Sequence, residues 1–155
     1  MSDQDKPAPV LVLTWGNPSR GDDALGTFMF DKLVQHQADT GQLGHVEVLT
    51  DFQLQIEHAV DLQNREAVIF VDAGVANLEP FSYEQIEPER DDSFTTHAMS
   101  PASVLSVYKQ VNGQEPPPAH LLTIRAYEFG LGKEMSSRAG NNLELAYQFI
   151  LKKLN

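Results

Sequence analysis

Three residues of the sequence carry side chains that can bind a metal ion or move a proton, and each stands beside a predicted strand end or helix start. Asp23 lies just beyond the first predicted strand, Asp72 follows the third, and His97 precedes a helix that returns to the same sheet. Ligands of open α/β sheets bind outside the carboxyl ends of the strands, so we expect these side chains to converge on one rim. Two carboxylates and one imidazole suit zinc, nickel or manganese and leave positions open for water or substrate. Without a metal, the same groups would form a carboxylate–histidine acid/base pair.

Each of these residues also has an ordinary structural explanation. Asp22 and Asp23 are good N-cap residues, and acids in a first helical turn complement the helix dipole. Asp72 can simply begin a turn, and a single loop histidine such as His97 is usually solvated. The prediction of a site therefore depends on where the three residues stand together.

The turn after the first strand has the glycine spacing of a phosphate-binding loop but lacks the residues that bind phosphate and magnesium. Gly16 and Gly21 match G-x-x-x-x-G, but Asp22 and Asp23 stand where the lysine and hydroxyl residue are needed. The dinucleotide pattern G-x-G-x-x-G, the zinc protease pattern H-E-x-x-H and the nucleophile elbow G-x-S-x-G are absent. A nucleotide site and a serine nucleophile are therefore not expected.

Composition narrows the class of protein further. The 155 residues include 22 Asp and Glu against 11 Lys and Arg, a net charge of −11, and no cysteine. This length predicts a single domain over residues 1–155, with residues 1–8 expected to be flexible. The absence of cysteine excludes disulfides, a thiol nucleophile and iron–sulfur ligands, and the acidity counts against nucleic acid as a partner. With no apolar run of about 20 residues and a polar N-terminus, we expect a soluble cytoplasmic protein without a membrane span.

Strands and helices are predicted to alternate along the chain. The predicted strands comprise residues 9–15, 45–49, 67–71, 81–86 and 120–126. The predicted helices comprise residues 23–38, 54–62, 101–112 and 138–154. Strands separated by helices of this length form βαβ units, so we expect a mostly parallel five-stranded sheet between helices, a three-layer α/β sandwich. Residues 81–86 have no crossover helix before them and are predicted to be the one antiparallel or edge strand.

Several segments in this order resemble the hydrogenase maturation endopeptidases, the proteases that trim the large subunit of nickel–iron hydrogenases. The resemblance spans residues 10–155. The segments that carry it are Gly16-Asn17, Asp22-Asp23-Ala24-Leu25-Gly26, Val71-Asp72-Ala73, His97 and Val104-Leu105.

The resemblance implies a narrow reaction. Such enzymes remove a C-terminal extension from the large-subunit precursor, after a basic residue, once nickel has been inserted. Residues at the positions of Asp23, Asp72 and His97 form the metal-binding and catalytic set in that family, and the nickel is carried by the precursor. Gly16, Asn17, Asp22 and Asp51 are the expected further contacts with the substrate. The resemblance leaves open whether the metal is catalytic or only a recognition mark, and whether the isolated protein, expected to be a monomer, holds another divalent metal.

One segment departs from the family pattern. Asp51 fits the acidic residue after the second strand, but Gln53 and Leu54 replace a glycine and a threonine that family members often have. With Glu57 nearby, the segment is similar to the branch that processes NAD-reducing or related cytoplasmic hydrogenases. His58 is either a further site residue or, in the simpler interpretation, part of an exposed helix face beside Asp61.

Two other functions remain open from the residues alone. An acidic surface of this charge would steer a cationic partner, so the chain could be a non-catalytic metal-binding or partner-binding module. An ordinary metallohydrolase acting on small peptides is the third candidate, although the sequence has no obvious glutamate base beside the three ligands.

Overall fold

The computed structural model describes residues 6–90 and 99–155. His97 and residues 1–5, most of the N-terminal segment predicted to be flexible, lie outside the described residues. The described strands are β1 (Val10–Trp15), β2 (Val46–Asp51), β3 (Ala67–Gly74), β4 (Phe81–Ile86) and β5 (Ala119–Arg125). The described α-helices are α1 (Leu25–Thr40), α2 (His58–Asp61), α3 (Pro101–Asn112) and α4 (Ser137–Leu154).

The strands form one sheet in the order β2-β1-β3-β5-β4. β1 pairs in parallel with β2 and β3, and β3 pairs in parallel with β5. β4 pairs antiparallel with β5 and is an outermost strand of the sheet, as the missing crossover helix predicts. The carboxyl ends of the four parallel strands therefore meet at one edge of the sheet, called the carboxyl edge below.

Helices cover both faces of the sheet because alternate strand residues point to opposite sides. On β1, Val12 belongs to the core cluster that contains the buried residues of α1 and α4. Leu11 and Leu13 belong to the other cluster, which contains Leu54 and Leu62 beside α2 and the buried residues of α3. The predicted three-layer α/β sandwich is confirmed.

The helix ends follow local sequence signals. Ser100 caps α3 by accepting a hydrogen bond from the Ser103 amide at 3.1 Å, and Pro101 occupies the first helical position as predicted. Ser136 caps α4 in the same way, through the Ala139 amide at 3.2 Å. No helix within residues 6–90 and 99–155 is both long and apolar enough to span a bilayer.

Two predicted helices differ from the observed ones. The predicted helix over residues 54–62 is reduced to the four residues of α2, because Ile56 and Val60 are exposed and leave no continuous apolar face to bury. The predicted helix from residue 23 begins instead as a 3-10 turn over Gly21–Ala24, followed by α1. No side chain caps that turn, so the N-cap explanation of Asp22 and Asp23 was wrong.

Candidate functional site

The turn between β1 and α1 holds Asp23 against the carboxyl end of β1. The backbone amide of Asn17 donates a hydrogen bond to Oδ2 of Asp23 at 2.8 Å. Gly16 has a φ of +146°, and a Cβ atom there would lie 2.0 Å from the carbonyl oxygen of Asp23. Only glycine allows this close approach, because other residues rarely adopt such a φ and would collide with the backbone. The turn thus fixes the Asp23 carboxylate through its backbone.

Asp72 lies at the same edge, on the neighbouring strand. The register pairs Thr14 of β1 with Val71 of β3, which puts Asp72 level with Trp15, the last residue of β1. Its Oδ1 accepts a hydrogen bond from the Ala73 amide at 2.8 Å. β3 extends three residues past its predicted end at residue 71, so Asp72 lies within the strand and does not follow it. Asp23 and Asp72 nevertheless lie close enough at the carboxyl edge for their charges to interact.

The environment of Asp72 makes its carboxyl group unusually basic. Burial raises the pKa of Asp72, the hydrogen bond from Ala73 lowers it, and the charge of Asp23 raises it further, to about 7. Near neutral pH the group therefore exchanges between its acid and its carboxylate. Such a group can pass a proton during hydrolysis, and a cation beside both aspartates would offset their repulsion.

The third predicted member of the site is not described. Among residues 6–90 and 99–155, no group of three or more histidine, aspartate or glutamate side chains is arranged to hold a metal ion. The described aspartates offer two carboxylates, which is the oxygen part of the predicted ligand set. His97 lies outside the described residues, so its role as the nitrogen ligand stays a prediction.

Asp22, the neighbour of Asp23, points into the protein instead. Its side chain is fully buried and accepts hydrogen bonds from the amides of Tyr127, Glu128 and Ser136 at 2.7 to 3.0 Å, and from the Ser136 hydroxyl at 2.8 Å. Burial alone would raise the pKa of Asp22, but the hydrogen bonds from Ser136, Glu128 and Tyr127 outweigh it, and the pKa is lowered. Asp22 thereby ties the turn that carries Asp23 to the segment between β5 and α4. Its predicted contact with substrate is not tested by this geometry.

Asp51 ends β2 on the other side of β1. It pairs with Trp15, and its carbonyl oxygen accepts a hydrogen bond from the Gly16 amide at 3.1 Å. Its carboxylate lies 3.2 Å from Nε2 of His58. Because β2, β1 and β3 are consecutive in the sheet, Asp51 and Asp72 flank the end of β1 from opposite sides.

The sequence left two interpretations of His58 open, a further site residue or part of an exposed helix face beside Asp61. The exposed face is wrong, because only 8% of the residue is exposed and Nε2 of its ring lies 3.2 Å from Asp51; a role in the site stays a prediction. In the sequence, His58 stands directly before Ala59 and four residues after Leu54, which is buried in the structure. An ordinary surface histidine fits this pattern equally well. A contact that spans seven residues through a loop cannot be deduced from helical periodicity.

Apolar side chains also project from this edge. Phe52 and Ile56 follow β2, Val75 and Leu78 follow β3, and Leu131 follows β5, and each is more than half exposed. These residues follow the carboxyl ends of three parallel strands and are accessible to another molecule.

The fold is similar to those of solved hydrogenase maturation proteases. A nickel–iron hydrogenase maturation protease HycI from Thermococcus kodakarensis is similar over 95% of this chain and 92% of its own, with 22% identity and a TM-score of 0.71. The hydrogenase maturating endopeptidase HybD from E. coli is similar over 94% and 91% of the two chains, with 23% identity and a TM-score of 0.70. HybD from Thermococcus kodakarensis covers 94% and 99%, with 19% identity and a TM-score of 0.69.

The likeness is one of fold across nearly the whole length of both chains. No protein-family model matches the sequence, and comparison with curated proteins finds no match. The predicted resemblance to the hydrogenase maturation endopeptidases is confirmed at the level of the fold. The roles of individual residues stay predictions.

Proposed function

We propose that this protein is an endopeptidase that removes the C-terminal extension of a nickel–iron hydrogenase large-subunit precursor after nickel insertion. The observation that carries the proposal is the pairing of Asp23 and Asp72 at the carboxyl edge of a fold shared with HycI and HybD. The substrate in this proposal is a protein, which agrees with the exposed apolar side chains that follow the carboxyl ends of β2, β3 and β5.

Nickel enters the site as part of the precursor. Asp23, Asp72 and His97 contact the bound nickel and so distinguish the loaded precursor from the empty one. Oxygen and imidazole ligands suit this task, because a thiolate-rich protease would compete with the precursor for a soft metal. In the isolated protein, any other divalent ion is proposed to bind to the same three residues. In this proposal the protein acts as a monomer in the cytoplasm.

Asp72 has a second proposed task in the hydrolysis. Peptide hydrolysis needs a proton taken from water and a proton given to the departing amine. In the metal-free protein, a carboxyl group with a pKa of about 7 exchanges protons readily at neutral pH, unlike an ordinary aspartate, and contact with the nickel cation would lower this pKa. Gly16 and Asn17 hold Asp23 in place, and Asp51 contacts the substrate chain beside them.

The test is processing of a purified precursor by the purified full chain, followed by mass spectrometry. Wild-type protein shortens the nickel-loaded precursor, whereas Asp23→Asn, Asp72→Asn and His97→Ala leave it uncut while remaining folded. Asp31→Asn, a change at an exposed position of α1, retains full processing and is the matched control. Tight binding of the precursor without any cut by the wild-type protein would favour the non-catalytic partner-binding module instead.

A further inference from the structure

The ring of His58 lies between the protein interior and the Asp51 carboxylate. Nδ1 faces the backbone amide of Gln55 at 2.8 Å, and Nε2 faces Oδ2 of Asp51 at 3.2 Å. The His58 side chain is 10% exposed, whereas the Asp51 side chain is 41% exposed. The histidine is thus enclosed by its own loop, and the carboxylate that it contacts is open to solvent.

These contacts determine which nitrogen carries the proton. The Gln55 amide can only donate, so Nδ1 must be the unprotonated acceptor. Nε2 of the neutral ring therefore carries the hydrogen, and this nitrogen faces Oδ2 of Asp51 at 3.2 Å. The other oxygen of Asp51, Oδ1, accepts a hydrogen bond from the Phe52 amide at 2.7 Å. One carboxylate oxygen is thus held by a backbone hydrogen bond, and the other lies beside the His58 ring.

Beside this carboxylate is a hollow of about 260 Å³ at the carboxyl edge. Its described lining consists of Gly16, Pro18, Thr27, Thr50, Asp51 and Phe52. Asp51 is the single charged residue of that lining, and the rest offer apolar or hydroxyl groups. An apolar wall with one carboxylate suits a lysine or arginine side chain, whose aliphatic part packs against apolar groups while its charge is paired.

We propose that His58 is a positioning residue, which orients Asp51 to receive a lysine or arginine side chain of the substrate in this hollow. The inference rests on the proposed function, since the substrate is the hydrogenase precursor. It adds a subsite that lies on the β2 side of β1, opposite Asp72. The His58 ring acts through Asp51 and does not touch the substrate.

Two substitutions of His58 separate positioning from loop structure. His58→Asn keeps an acceptor near Nδ1 for the Gln55 amide but has no group that reaches Asp51. His58→Gln keeps a donor near Nε2. The assay is steady-state cleavage of nickel-loaded precursor. Asp51→Asn and His58→Asn should each raise KM about tenfold and leave kcat little changed, because each variant loses one charge-assisted contact with the substrate. His58→Gln stays within about threefold of the wild-type KM.

A second precursor, with its basic residue at the cut replaced by glutamine, tests the ligand. On this precursor the wild type and His58→Asn have the same KM, because the charge that Asp51 pairs with is gone. An unchanged KM for His58→Asn, or an equal rise of KM on both precursors, overturns the inference and leaves the proposed function intact. A wild type that cuts neither precursor overturns both.

Nitrogen NMR of the His58 ring in the wild-type protein keeps the test decisive should His58→Asn fail to fold. The geometry gives the tautomer protonated at Nε2. A ring protonated at Nδ1 alone would leave no hydrogen on the nitrogen that faces Asp51 and overturns the positioning role.

Discussion

The carboxylate of Asp23, held by the Asn17 amide at 2.8 Å, lies close enough to Asp72 for its charge to raise the pKa of that residue. One acidic group in the turn and one in β3 are thereby coupled near the end of β1. Neighbouring carboxyl groups of which one has a raised pKa are typical of sites that transfer protons or bind cations.

Removing the charge of Asp23 should lower the pKa of Asp72. Asp23→Asn eliminates the repulsion and leaves burial as the remaining cause of the raised pKa. Carbon NMR titration of the Asp72 carboxyl group measures the change, with Asp31→Asn as the control at an exposed position. A pKa of Asp72 that stays near 7 in Asp23→Asn would show that the two groups are not coupled.

Asp72→Asn should stabilise the protein at alkaline pH. The pKa of Asp72 is raised in the folded state from 3.8 to about 7, so the folded state binds this proton more tightly. The contribution to stability is present at low pH and is lost as the pH rises through 7, where the partly buried group must ionise. The amide avoids that ionisation, and we expect the variant to gain on the order of 1–3 kcal/mol at pH 8.

Denaturant unfolding of Asp72→Asn and wild type at pH 5 and pH 8 measures this difference. At pH 5 the advantage of the variant should shrink, because wild-type Asp72 then retains its proton. An advantage equal at both pH values would show that ionisation of Asp72 is not its cause.

Asp22→Asn should destabilise the fold by about 2–3 kcal/mol. The amide nitrogen would face backbone N–H groups that need an acceptor, among them those of Tyr127 and Ser136. Since the pKa of Asp22 is lowered in the folded state, its contribution is present at neutral pH and is lost as the pH falls through that lowered value. Chemical denaturation at pH 7 and pH 3 should show the difference between variant and wild type narrowing in acid. A variant as stable as wild type at pH 7 would contradict the structural role of Asp22.

Gly16→Ala should abolish processing and destabilise the fold by about 1–3 kcal/mol. The added methyl group meets the Asp23 carbonyl and displaces the turn that carries the Asp23 carboxylate. Gly44→Ala is the matched control, because a Cβ there meets no atom within 4 Å. Thermal unfolding and precursor cleavage of the two variants give the comparison. Equal behaviour of both would mean that the turn tolerates a side chain at Gly16.

The sequence was most informative where local pattern and burial agree. The apolar strands β1 and β3, the Ser100 cap and the antiparallel β4 follow from composition, capping chemistry and the absence of a crossover helix. Asp23 and Asp72 were found because parallel strands bring their carboxyl ends to one edge.

The parts of the structure that the sequence did not predict depend on contacts between distant or differently oriented side chains. The amide and hydroxyl partners of Asp22 lie 105 to 114 positions later in the chain, so its inward orientation has no local signal. Asp22 and Asp23 are the same residue type in adjacent positions, yet one is buried and the other faces the edge. The simpler interpretation placed His58 on a surface because a longer helix was expected around it. That helix is reduced to one turn, and the buried His58 ring has its Nε2 3.2 Å from Asp51.

Cleavage by this protein should depend on nickel in the precursor. The direct measurement is the mass of a purified hydrogenase large-subunit precursor, nickel-loaded or nickel-free, after incubation with the wild-type protein. We predict loss of the C-terminal extension from the loaded form alone. Equal shortening of both forms would contradict recognition of the metal, and no shortening of either would contradict the protease assignment.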